Sequence, residues 1–135
     1  MPSPASKRNR IRTGALAVEM AICLPLLLML LFGCYEMSRA NMILHATESA
    51  AYEGARVGIL PGATQEKITL ATSQILRTMG ISDFEVEVSP AVIQRDTPVV
   101  EVTVRVPFAK NTLIPTMFIK DPTFRGVCSL TRELP

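Results

Sequence analysis

Hydrophobic and polar residues are distributed along this chain in three regimes. From Ala15 to Tyr35 the sequence is apolar almost without interruption, about 21 residues holding one charge, Glu19. That length matches the roughly 20 residues needed to cross a hydrocarbon core of about 30 Å, so the pattern predicts a transmembrane helix. From Glu36 to Val57 the run gives way to helical spacing, with Met37, Ala40, Leu44, Thr47 and Ala51 on one stripe. No proline lies between Leu26 and Leu60, so the helix is expected to continue out of the membrane, to about Gly58. At 1.5 Å per residue such a helix, begun at Ala15, is about 65 Å long. Gly58 and then Pro61-Gly62 end it.

The third regime reads as a small domain over residues 59–135. Thr64 is placed to cap a second helix to about Met79, with Ile68, Ala71, Ile75 and Met79 on its apolar side and Gly80 at its exit. Three strands follow. Phe84 to Val88 and Val100 to Val106 alternate apolar with charged or polar residues, and Phe124 to Arg132 places Phe124, Cys128 and Leu130 on one face. The smallest arrangement that buries these faces is a three-stranded antiparallel sheet covered by the helix of residues 64–79. The fold class is therefore α+β, a long N-terminal helix followed by one helix on a three-stranded sheet. Residues 107–122 are proline-broken yet carry Leu113, Ile114, Met117, Phe118 and Ile119. If folded back they form a lid on the core, which is the favoured expectation. If exposed they offer a contact surface for another subunit or for the membrane.

Charge sharpens the first regime. Of 14 basic residues, Lys7, Arg8, Arg10 and Arg12 lie before Gly14 with no acid among them, leaving 10 basic against 12 acidic residues beyond. A short basic cluster before an apolar run sets membrane orientation, here N-terminus inside and C-terminal domain outside. A nucleic-acid surface would need a folded basic face, which the rest of the chain does not supply. Pro25 removes one helical hydrogen bond and predicts a kink or loosened turn near residues 21–25. Glu19 costs free energy in lipid and calls for a partner or a snorkelling route to the headgroups.

These residues resemble a family. A basic leader ending in Gly14, then Ala15-Leu-Ala-Val-Glu19 and a Leu-rich run with Pro25, is similar to a type IV prepilin signal, and specifically to the TadE-like pseudopilins of tight-adherence (Tad) pili. The likeness extends through Phe32-Gly-Cys-Tyr-Glu36-Met-Ser-Arg39-Ala and Ala51-Tyr-Glu-Gly-Ala-Arg56 and is weaker beyond, although Leu130-Thr-Arg-Glu133 also fits. The resemblance implies cleavage between Gly14 and Ala15 by a prepilin peptidase, with residues 1–14 removed as a cytoplasmic leader. It also implies a role for Glu19 in processing or assembly, and a pilin-like domain at the C-terminal end. The partners it implies are other pilin or pseudopilin subunits and the assembly platform of a Tad or type IVb adhesion pilus or a related secretion apparatus, in the bacterial inner membrane. The cut would place a new amine at Ala15, one helical turn before Glu19, where a shifted neighbouring copy's amine could neutralise the acid.

Two other readings of the segment make it a signal-anchored or lipidated envelope protein outside any pilus. Leu31-Phe-Gly-Cys34 approaches a lipoprotein box, but Phe32 is bulky for its place. Ser38-Arg-Ala40 has the small-residue spacing of a signal peptidase site, yet lies within continuing helix.

Chemistry is sparse. Cys23 and Cys34 fall in the apolar run, so no disulfide framework can be drawn, and an exported domain is expected to bury its single Cys128. His45 has no nucleophile motif beside it, and Glu85 with Glu87 reads as the wet face of a strand. No Cys/His spacing suggests zinc, and no glycine-rich loop suits phosphate. The chain is expected to bind and build rather than to catalyse, with no cofactor, metal, nucleic acid or small-molecule substrate.

Overall fold

The computed structural model describes residues 5–94 and 97–132, with side chains from residue 14 onward. The side chains of Lys7, Arg8, Arg10 and Arg12, and the whole of Glu133, lie outside the described residues. The elements in chain order are helix α1 (Ala5–Gly58), helix α2 (Gln65–Thr78), strands β1 (Glu85–Ser89) and β2 (Val99–Pro107), a single 3-10 turn at Ala109–Asn111, and strand β3 (Thr123–Thr131). The chain divides into two compact units, Met1–Tyr35 and Glu36–Pro135.

In the first unit α1 carries the apolar run. Large side chains from Leu16 to Phe32 are exposed, each by 40% or more, and no part of the apolar window is buried. Pro25 lies inside this helix, whose assignment is continuous on both sides of it.

The second unit is the α+β domain anticipated from periodicity. Its sheet is antiparallel in the order β1-β2-β3, with Val102 opposite Val88 on one side and Cys128 on the other. The alternation of β2 is observed except at Thr103, which belongs to the polar set yet is buried to 5% exposure. Val100, Val102, Val104 and Val106 are fully buried, while Glu101 is exposed and Arg105 half-exposed. Each such valine stabilises the fold by about 1.5–3 kcal/mol relative to exposure. On the wet face Glu87 accepts a hydrogen bond from Arg105 at 3.0 Å, a surface pair of small energetic weight.

What covers the sheet differs from expectation. The helix against the inner face of β2 and β3 is the second half of α1 rather than α2 alone. Ile43, Thr47, Ala50, Ala51 and Ala55 are fully buried there, with Glu36, Ala40 and Ala46 nearly so. A methyl added at Gly54 would meet Thr72 and Ile68 of α2 and also Val102 of β2, so α1, α2 and the sheet converge at this position. At Gly58 it would lie 2.7 Å from Val100 and 3.1 Å from Ile68. On the strand side, Gly126 in β3 leaves room for the α1 backbone, since a Cβ there would lie 2.7 Å from the Thr47 carbonyl oxygen. Of the stripe predicted from Met37 to Ala51, Ala40, Thr47 and Ala51 are buried, Leu44 is half-buried and Met37 exposed, and the buried face widens to take in Ile43 and Ala50.

Helix α2 starts as predicted. The Thr64 side chain accepts from the Lys67 backbone N–H at 3.4 Å, and Gly80 takes a left-handed φ of +68° just past the end. Its buried face is Ile68, Thr72 and Leu76, with Ala71 and Ile75 at the margin and Met79 exposed. Because α2 packs on a helix as well as on β1, its contact face turns toward Thr72, a residue that hydrophobicity alone passes over. The Thr72 hydroxyl is satisfied by donating to the Ile68 carbonyl at 2.9 Å.

Candidate functional site

Two sets of residues bear on function: the predicted processing and anchoring residues of the first unit, and a polar cluster in the second unit at the residues that follow the apolar run.

In the first unit Gly14, Ala15 and Glu19 all lie on the surface of α1. A methyl at Gly14 would meet nothing within 4 Å, so neither packing nor backbone geometry accounts for a glycine at that position. Among the described residues no ion pair includes Glu19. Cys23 and Cys34 are free and exposed. An apolar surface this long, unpaired within its own unit, anchors the protein in a membrane.

In the second unit the cluster begins at Glu36, directly after Tyr35. This carboxylate is buried to 6% exposure and accepts two backbone N–H bonds, from Met117 at 2.9 Å and Phe118 at 2.8 Å. Charge-assisted bonds of this kind hold the middle of the 107–122 segment to the start of the domain helix. One turn on, Arg39 donates to the Asn111 carbonyl at 3.1 and 2.9 Å, to the Gly80 carbonyl at 3.0 Å and to the Met79 carbonyl at 3.3 Å. A cation there meets the negative end of α2 and satisfies carbonyls that the helix leaves open.

Asn111, at the end of the 3-10 turn, completes the cluster. Its Oδ1 accepts from the backbone N–H of Ser82 and of Asp83, each at 3.0 Å. Its Nδ2 donates to the carbonyls of Asp83 at 2.7 Å and Pro107 at 2.9 Å. All four hydrogen-bonding positions of the amide are used, so one side chain ties the α2–β1 connection to the end of β2. The base of the 107–122 segment is closed by Phe108 N–H to the Pro122 carbonyl at 3.0 Å and Ala109 N–H to the Asp121 carboxylate at 2.9 Å.

The segment is therefore neither wholly a lid nor wholly a free surface. Ile119 packs on the core and Ile114 is half-buried, whereas Leu113, Met117 and Phe118 are exposed by 95%, 71% and 47%. Sequence reasoning placed Glu36 and Arg39 in a family pattern without a physical role and passed over Asn111. The available signal was a lone amide between Phe108 and Leu113, at the start of a stretch whose carbonyls and N–H groups need partners.

The remaining titratable groups are structural or solvated. His45 and Glu48 lie 3.6 Å apart on an exposed face of α1. The Arg56 guanidinium holds the Glu53 carboxyl below its ordinary value through a hydrogen bond, opposed in part by desolvation. Burial raises the Cys128 thiol above its ordinary value. Among the described residues no group of three or more His, Cys, Asp or Glu is placed to hold a metal ion.

The fold and this anchor together define a class: a single membrane-anchoring helix whose continuation in sequence is the central element of a small α+β domain. Residues 14–56 match the family model described as TadE-like protein, the family to which the residue pattern pointed. No curated protein and no solved structure matches the chain.

Proposed function

We propose that this protein is a minor pilin-like subunit that acts in the assembly of a Tad-type adhesion pilus or a related secretion apparatus. The observation that carries the reading is the TadE-like match over residues 14–56, which covers the exposed apolar run and the helix that organises the domain. In this reading the chain inserts in the inner membrane with its basic leader inside and its domain outside, following the positive-inside rule. A prepilin peptidase cuts between Gly14 and Ala15. The freed Ala15 amine of one subunit then meets Glu19 of an axially shifted neighbour, removing two charges from lipid at once. Exposed Gly14 without a packing role and surface-exposed Glu19 are what a cleavage position and an intersubunit contact require. The work of the protein is structural, carried out with other pilin or pseudopilin subunits and the assembly platform.

N-terminal sequencing of membrane-extracted protein tests the processing step. A mature start at Ala15 is expected. A start at Met1, or an acylated Cys34, replaces the pilin reading with that of an anchored or lipidated envelope protein. For the assembly step, Glu19→Gln and Glu19→Ala are expected to insert normally yet impair processing or pilus formation. Normal processing and full piliation in both variants would remove the carboxylate from the mechanism.

A further inference from the structure

The geometry points to a second membrane contact: the tip of the 107–122 segment, carrying Leu113, Met117 and Phe118, enters the lipid headgroup and upper acyl region beside the point where α1 leaves the bilayer. This inference rests on the reading that residues 15–35 span a membrane.

Three observations carry it. First, the tip is tied to the exit of the span. Tyr35 ends the apolar run, and the next residue, Glu36, binds the backbone N–H groups of Met117 and Phe118 with both carboxylate oxygens. The tip is thus held within one side chain's reach of the residue at which the chain leaves hydrocarbon, inside the headgroup layer that adds roughly 5–7 Å to each side of the core. Second, the segment sorts its side chains. Ile119 turns to the core while Leu113, Met117 and Phe118 turn out, an arrangement that water does not favour and an interface does. Third, exposed Lys120 and exposed Lys110, the latter with its ammonium 3.3 Å from the Asp83 carboxylate, flank the apolar tip. A long cationic side chain such as that of Lys120 buries its stem at an interface and extends its ammonium group to anionic headgroups. A protein partner could cover the same side chains, but the covalent neighbour of Glu36 is the membrane span, so lipid is the occupant already present.

The chain contains no tryptophan, so single tryptophans report without background. Full-length Leu113→Trp and Phe118→Trp would be reconstituted in vesicles of phosphatidylethanolamine and phosphatidylglycerol, with and without lipids brominated on their acyl chains. Leu27→Trp, within the span, serves as the membrane control. Val92→Trp serves as the aqueous control, because the β1–β2 connection lies at the opposite end of the sheet from the 107–122 segment. The expected result is blue-shifted emission that brominated lipid quenches at positions 113 and 118, as at 27, and unquenched emission at 92. Emission at 113 and 118 that follows position 92 while position 27 is quenched overturns the inference and leaves the anchor standing. Blue-shifted emission that brominated lipid leaves unquenched assigns the tip to a protein contact and likewise overturns it. Loss of quenching at position 27 as well removes the anchor on which the inference rests. Circular dichroism matching the parent protein confirms that each variant is folded. Leu113, at 95% exposure, offers a substitution that disturbs no packing.

Discussion

At the residue scale the second unit depends on three polar side chains more than its valine-rich core suggests. Glu36 accepts two backbone N–H groups that no other acceptor serves, so Glu36→Gln leaves one of them facing an amide nitrogen. The expected loss is about 1–3 kcal/mol, read as a lower urea midpoint in detergent, together with faster proteolysis between residues 112 and 119. A variant that keeps both the midpoint and the protease resistance would show that the clamp is dispensable. Cys128, expected to be buried, is only half-buried in β3 and provides a pH-dependent readout of that partial burial. Its thiol is raised by desolvation, so the folded state holds the proton longer than the unfolded chain does. Its contribution to stability is complete below the ordinary thiol pKa and declines as pH rises through the higher folded value. In a Cys23→Ala, Cys34→Ala background, alkylation of Cys128 is expected to reach half-maximal rate at a higher pH than for a free thiol. A midpoint at or below the free-thiol value would contradict this partial desolvation.

At the scale of elements, close approach between backbones defines the domain. Glycine at 54 and 58 lets α1 approach both α2 and β2 closely, and Gly126 lets β3 approach the Thr47 carbonyl. The strand position is the more sensitive, because its neighbour is main chain, which cannot rotate away. Gly126→Ala is therefore expected to destabilise by about 1–3 kcal/mol, seen as a lowered denaturation midpoint. An unchanged midpoint would mean that the strand can shift outward without loss.

At the scale of the whole molecule, most elements were legible because each obeys a simple period. The apolar run is a length, β2 is a period of two, and α2 begins at Thr64 and ends at Gly80 through local cap chemistry. Glu19 stands out in the sequence as the one charge of the apolar run, but the processing roles proposed for Gly14 and Glu19 come from the resemblance, since among the described residues no ion pair includes Glu19. What escaped the sequence was the identity of the layer over the sheet. A stripe of Ala40, Thr47 and Ala51 reads equally as a surface for other helices, and its inward orientation goes with three glycines on two elements, Gly54 and Gly58 on α1 and Gly126 on β3. Asn111 was hidden for a related reason. Its value lies in joining two connections, 82–83 and 107, that are distant in sequence from each other and have no hydrophobic signature.

The order in which this domain is synthesised follows from its central helix. The inner stripe of α1 is complete at Gly58, but its last sheet partner ends at Thr131, so at ordinary rates of translation it waits on the order of ten seconds. A stripe of leucines would spend that interval inviting aggregation at the membrane surface. Alanine, threonine and glycine, with Ile43 the one large apolar side chain among its fully buried positions, expose little greasy area while they wait. The small residues that let the sheet close on the helix thus also keep the nascent chain tractable until the sheet arrives.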